Sequence, residues 1–248
     1  MVAVADTAVR TGIVKPVDAA ALVLIRRGAA GAGEVLLGRR HMRAGFLPDI
    51  YVVPGGRVDG ADSLPSGFPE TVHPAIAEML DSGGSRRPAA AFLRAALRET
   101  HEEAGLLVGR PSDKDSIAPA NQPIWQAYAA ASLSPDFAGF DFLLRAITPV
   151  TSRRRYNTRF FLADGDLACG TIGGDGELED LGWRRQSELD ALNIVDVTLA
   201  VLTEAFRRWE AQLPIGETKP KLLNYKKDIM TLSRHRQRAA PRKSQARA

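Results

Sequence analysis

Three glutamates and an arginine crowd into one short segment, Arg98-Glu99-Thr100-His101-Glu102-Glu103-Ala104-Gly105-Leu106. On a helix Glu99, Glu102 and Glu103 stand at i, i+3 and i+4 and project from one face. Arg98 can pair with Glu102 at i+4, which leaves two carboxylates facing the same space. Like charges this close need a cation among them. Hard oxygen ligands so clustered suit Mg²⁺ or Mn²⁺, ions that bind phosphate oxygens at the same time. A bare E-x-x-E-E is more often a solvated helix face with an ordinary ion pair; here the residues upstream weigh against that reading. Four histidines without ligand spacing and a lone cysteine, Cys169, argue against zinc.

Several elements must hold this segment in place. Tyr51-Val52-Val53-Pro54-Gly55-Gly56 reads as a β-branched strand entering a glycine turn, where the backbone can approach a ligand closely. Asp62 follows after five residues. Strands are expected at Asp18–Arg27 and Glu34–Arg40, joined by the glycine-rich turn Gly28–Gly33. Pro88 suits a first helical turn, Ala89–Ala104 is rich in helix formers, and Gly105 ends the helix in the left-handed conformation. Residues from about 63 to 88 carry prolines, glycines and one short apolar stretch, Ile76–Leu80. They read as a loop with one helical segment beside the carboxylates, serving as a lid or substrate wall. Further along, Pro123–Ser132 is expected to be helical, with Trp125 and Tyr128 as packing residues. Strands follow at Arg145–Val150, Tyr156–Ala163 and Glu177–Arg184, then a helix at Val197–Gln212.

The pattern resembles the Nudix box, G-x5-E-x7-R-E-U-x-E-E-x-G-U, with U a bulky aliphatic residue. Gly56 is the first glycine, Asp62 takes the first glutamate position, and Arg98, Glu99, Glu102, Glu103, Gly105 and Leu106 fill the second half. There are three departures. Asp62 is one methylene shorter than glutamate, Thr100 occupies an aliphatic position, and 35 residues lie between Asp62 and Arg98 where the pattern has seven. A rival register starts from Gly84 without an insert but puts Ala90 where the carboxylate belongs. The long insert is similar to one Nudix branch that includes bacterial members and a peroxisomal coenzyme A diphosphatase of animals. Phe46-Leu47-Pro48, Val58-Asp59 and Arg154-Arg155-Tyr156-Asn157-Thr158-Arg159-Phe160-Phe161 add to the likeness, which runs from about Ala19 to Leu192.

This resemblance implies an α/β fold, the Nudix α/β/α sandwich with a mixed sheet and an insert within the box. It implies a Mg²⁺- or Mn²⁺-dependent hydrolase of phosphoanhydride bonds. Glu99 and Glu103 are then the leading metal ligands, Glu102 ligates or takes a proton from water, and a carbonyl at Gly56 adds a ligand. Arg98 orients the carboxylates, and Glu177 is a further candidate base. Arg39, Arg40, Arg43 and the Arg153–Arg155 cluster, Arg155 included, are candidates to clamp phosphates through bidentate hydrogen bonds. Leu36-Leu37-Gly38-Arg39-Arg40 matches the branch's coenzyme A signature in part, with Gly45, Asp49 and Val53 departing from it. Coenzyme A or an acyl derivative is the first substrate expected, then ADP-ribose, NADH or another nucleotide. A non-catalytic nucleotide-binding regulator is the alternative of a different class.

Composition sets the remaining bounds. The 248 residues, 45% hydrophobic, suffice for one large α/β domain. The net charge of +4 is uneven: residues 219–248 hold ten Lys or Arg against Asp228 alone, while residues 1–218 hold 23 basic and 28 acidic side chains. The expected organisation is an N-terminal arm at 1–16, the domain at 17–218, and a basic tail at 219–248, disordered from about 234. No apolar run approaches the roughly 18 residues of a membrane span, and a single cysteine suits a reducing compartment. A cytoplasmic protein is expected, with a small nucleotide-type substrate, no membrane or nucleic-acid partner, and pairing as a homodimer.

Overall fold

The computed structural model describes residues 14–45, 47–81, 85–112, 120–226 and 229–234. The first half contains strands β1 (Val17–Arg27), β2 (Gly33–Arg40), β3 (Tyr51–Val52) and β4 (Gly55–Arg57), then helices α1 (Pro74–Asp81) and α2 (Ala89–Ala104). Strand β5 (Leu106–Pro111), helix α3 (Pro123–Ala130) and strands β6 (Leu133–Pro135), β7 (Asp141–Ile147), β8 (Tyr156–Asp164), β9 (Ala168–Gly170) and β10 (Leu178–Arg185) follow. Helix α4 (Asp196–Glu210) and strands β11 (Lys221–Lys226) and β12 (Ile229–Arg234) complete the order.

Strand β1 is the spine. Its residues from Ala19 to Ile25 are all buried, the mark of a central strand covered on both faces. It lies in a nine-stranded mixed sheet of order β10-β2-β1-β8-β7-β11-β12, with β3 against β2 and β4 against β1. Ala20, Leu22 and Leu24 face α2 within one core; Ala21, Val23 and Ile25 face α4 within the other. The result is the expected α/β/α layering with a mixed sheet. Each fully buried Leu or Phe of α2, such as Phe92, Leu93 and Leu97, contributes about 1.5–3 kcal/mol to seating the helix. Gly105, at φ 73°, caps α2 with its N–H on the His101 carbonyl, as read from the sequence. A second sheet, β6-β5-β9, follows directly and was not foreseen.

The insert differs from its expectation. Its helical segment is α1, yet Phe68, Ile76, Met79 and Leu80 are buried with Phe92, Trp125 and Tyr128 rather than facing the carboxylates. Burial of these large apolar side chains makes the insert a part of the core, not a lid. Trp125 and Tyr128 are packing residues as expected, with ring centroids 5.9 Å apart.

The first part of the expected tail carries regular structure. Residues 221–226 run parallel to β7 and pair with 229–234, extending the sheet by two strands, with Leu223 fully buried. Leu223 packs with Val201, Leu202 and Ala205 of α4 in one core, so this lysine-bearing stretch belongs to the sheet. The proposed disordered stretch falls beyond 234, outside the described residues, as do residues 1–13 of the arm. Among the described residues no helix is long and apolar enough to cross a membrane.

Candidate active site

The last turns of α2 meet the glycine turn of β4. Glu103, 4% exposed, accepts a hydrogen bond of 2.8 Å from the Gly55 N–H. Gly56 is needed for a steric reason: a Cβ there would fall 2.5 Å from Glu99 Cδ. The two glycines thus let the carboxylates of a helix reach the backbone of a strand.

Arg98 organises the cluster. Its Nε and Nη2 donate to the two Asp62 oxygens, each at 3.0 Å, and Nη1 donates to Glu99 at 2.8 Å and Glu102 at 2.9 Å. Asp62 is 1% exposed and also accepts from the Asp59 N–H. The insert after Asp62 therefore does not turn its carboxylate away from the helix; the carboxylate is engaged as the anchor of Arg98. Burial would lower the Arg98 pKa, but Asp62, Glu99 and Glu102 outweigh it and keep the guanidinium charged.

Arg94, one turn earlier on α2, holds the insert itself. It is buried, ion-pairs with Glu70, and donates 2.8 Å to the Asp62 carbonyl. Neither Arg94 nor Glu70 was singled out from the sequence. Their only signal was an arginine among the apolar positions of a helix, since nothing in the chain order pairs residues 24 apart.

The carboxylates are short of positive charge. Burial is the largest effect on Glu99 and pushes its carboxyl up to about 7, Glu102 and Asp62 adding to the rise and Arg98 opposing it. Burial likewise pushes Glu103 up to about 8, with Glu99 and Glu177 adding repulsion, and Gly55 and Arg40 opposing. Two buried carboxylates, Glu99 sharing Arg98 with Asp62 and Glu102 and Glu103 held by a backbone N–H, make a donor set that fits a hard divalent ion. Among the described residues no three acidic, histidine or cysteine side chains close a cage alone. Hard divalent ions of the Mg²⁺ type keep several waters and are held by as few as one or two carboxylates. Glu102 is half-exposed and turned to Arg98.

Beside the carboxylates opens a cleft of about 390 Å³, walled by Arg40, Gly56, Glu99, Glu103, Thr158 and Glu177, among others. Glu177 is brought there by the loop before β10. Gly173 N–H and Asp175 N–H bond the Ala104 and Glu102 carbonyls, which the end of α2 leaves without helical partners. Gly174 must be glycine, because a Cβ would fall 2.2 Å from the Glu103 carbonyl oxygen.

The arginines divide. Arg40 lines the cleft, and among the described residues no side-chain hydrogen bond or ion pair engages its guanidinium; its Nε is buried without an acceptor. Arg39 lies outside, pairing with Asp49 at 3.0 Å and Glu179 at 3.3 Å. Arg155 also lies outside, donating to the Thr148 and Val14 carbonyls. Their alternation on the strand explains Arg39 and Arg40: neighbours in β2 point to opposite faces. Another cavity, about 550 Å³, is remote from the α2 carboxylates, and the Arg208 guanidinium on its wall is committed to Asp141 and Glu204.

No family model matches the chain. A curated relative is the acyl-coenzyme A diphosphatase NUDT19 of Gallus gallus, 30% identical over 205 residues, covering 58% of this chain. The chain spans about half the length of that relative, 54%. Among solved structures, a NUDIX hydrolase from Alicyclobacillus acidocaldarius superposes with a TM-score of 0.56 at 28% identity, covering 77% of this chain and 91% of that one. Shared architecture at that identity joins the charged and glycine positions of the box's second half, all filled on α2 and at its cap. In sequence and in fold the chain is similar to Nudix hydrolases.

Proposed function

We propose that this protein is a divalent-metal-dependent pyrophosphohydrolase that splits a nucleoside diphosphate linked to a second group, with coenzyme A or an acyl derivative as its substrate. One observation carries the reading: two buried carboxylates, Glu99 and Glu103, offset only by an Arg98 that is shared with Asp62 and Glu102, line a cleft with the uncommitted guanidinium of Arg40. The cleft offers anionic oxygens to a cation on one wall and a cation to phosphate on another. A phosphoanhydride bridging the two fits both.

Glu99 and Glu103, with the Gly56 carbonyl, would hold Mg²⁺ or Mn²⁺. When bound, the ion neutralises phosphate charge, polarises phosphorus and lowers the pKa of water. Arg40 binds a phosphate oxygen and orients the diphosphate. Arg98, anchored by Asp62, keeps Glu99 in place. Glu177 takes the proton from the attacking water, since it lines the cleft; Glu102, turned to Arg98, is the less well placed base. The water oxygen forms a bond to phosphorus as the bridging P–O bond breaks. Two phosphomonoesters leave, here a 3′,5′-phosphorylated adenosine and 4′-phosphopantetheine.

The coenzyme A assignment is supported by the name of the curated relative and the partial Leu36-Leu37-Gly38-Arg39-Arg40 match. The test is incubation with Mg²⁺ or Mn²⁺ and a panel of coenzyme A, acyl-coenzyme A, ADP-ribose, NADH and dinucleoside polyphosphates, with products identified by mass spectrometry. Cleavage of coenzyme A species above the others is expected. Preference for another member of the panel overturns the substrate, and binding without any product overturns the hydrolase in favour of a regulatory module.

A further inference from the structure

A second cavity, about 340 Å³, adjoins the catalytic cleft, and Tyr156, Thr158 and Phe160 of β8 wall both. Their alternate positions put all three on one sheet face, so the two spaces are a continuous surface crossing β8. Beyond β8 the lining changes in kind. Ala146 and Ile147 of β7, Val195 and Val197 at the start of α4, and Tyr225 of β11 enclose a space with no charged wall residue. The Thr148 hydroxyl is already engaged with the backbone of Tyr156. Leu47 stands at the rim, 40% exposed and at φ 46°, a backbone conformation leucine rarely adopts.

We infer that this apolar cavity receives the acyl chain of an acyl-thioester substrate, making Val197, Ile147 and Tyr225 determinants of acyl over free coenzyme A. The inference rests on the coenzyme A reading above and deepens it. Distance supports it. Arg57 of β4 pairs with Ala19, Ala19 with Thr158, and Thr158 with Ala146. Three strand spacings of about 4.8 Å put the cavity roughly 14 Å from the glycine turn. A pantetheine arm of roughly a dozen skeletal bonds, rising about 1.2 Å per bond when extended, covers about the same distance. A diphosphate at Glu103 therefore brings the thioester to the cavity mouth. A nucleobase is a poorer occupant, because no Asp, Glu, Asn, Gln or Arg lines the wall to meet its polar edge.

The test compares kcat/KM for acetyl- and octanoyl-coenzyme A in the wild type and in Val197→Trp, which fills the cavity. Calorimetry with S-octanoyl-pantetheine, which has no diphosphate, runs in parallel. Octanoyl is longer than acetyl by roughly six methylenes; burying about half of them at roughly fourfold each gives an octanoyl preference of about sixtyfold in the wild type. In Val197→Trp that ratio should fall to within about twofold of unity, and octanoyl-pantetheine binding should be lost. A ratio that the substitution leaves unchanged, or a wild type without chain-length preference, overturns the assignment. If neither substrate is cleaved at all, the hydrolase reading fails by itself. Octanoyl-pantetheine binding that the substitution abolishes would then still support the cavity, and its absence would refute it. Should Val197→Trp fail to fold, Val195→Trp on the turn before α4 closes the same space.

Discussion

Arg94→Met removes the residue that clamps the insert to α2. Arg94 is 5% exposed, makes a two-pronged ion pair with Glu70, and fills the Asp62 carbonyl. Methionine retains the apolar stem but strands Glu70 where only 15% of its side chain meets water. Burial raises the Glu70 pKa, yet hydrogen bonds from Arg94 and Ser66 outweigh it and hold the carboxyl below its ordinary value, so the charge is present at pH 7. Breaking such a buried pair from one side costs about 3–5 kcal/mol. For a domain of this size the melting temperature falls by roughly 10 °C. Neutralising the survivor should recover much of the loss. In Arg94→Met/Glu70→Gln the glutamine oxygen still accepts from Ser66 N–H, leaving chiefly the unfilled Asp62 carbonyl, about 1–3 kcal/mol. Urea unfolding followed by tryptophan fluorescence measures all three proteins together with Glu70→Gln, and the cycle isolates the coupling, expected at about 2 kcal/mol or more. A loss below about 1 kcal/mol in Arg94→Met, or a double mutant no better than the single, would refute the packing of the insert as core.

Glu103→Gln should abolish metal-dependent turnover while melting no lower than wild type without metal, because the amide is isosteric, has no charge to bury and still accepts from the Gly55 N–H; residual turnover near wild type would dismiss the metal site. Arg40→Ala should raise KM about tenfold or more, whereas Arg39→Ala leaves KM within about twofold; steady-state kinetics separates an uncommitted phosphate ligand from an arginine already paired on the surface. The Glu204 carboxyl is raised by burial but pulled down to about 2 by Arg207 and Arg208. A lowered folded pKa adds stability that is fully present above the ordinary value of 4.5 and is lost as pH falls through about 2. Melting curves of wild type and Glu204→Gln should therefore differ most above pH 5 and converge toward pH 2; a constant gap would assign the effect to packing.

The sequence by itself determined which charged side chains crowd one face of α2. Helical spacing is a local property, so Glu99, Glu102 and Glu103 could be put on one face, and Arg98 beside them, from order alone. The cap at Gly105, the strands β1, β2 and β8, and the packing roles of Trp125 and Tyr128 were legible for the same reason: periodicity and turn chemistry act over a few residues. Short strands such as β5, β6 and β9 carry too few residues for a period to show. The hairpin of β11 and β12 lies in a stretch whose lysines and arginines drew the reading to its charge rather than to strands.

What only the tertiary structure decided is which residues of like type share a space. Arg39 and Arg40 are equals in the sequence, yet opposite sides of a strand give one a pair of acids and the other an open cleft. Glu177 reaches the carboxylates because a loop satisfies the end of α2, some 70 residues earlier in the chain. The insert, a lid by composition, became core because Phe68, Ile76 and Leu80 find an apolar partner in α2. Hydrophobic burial and charge pairing act between residues close in space whatever their separation in the chain, and that closeness is written by the fold.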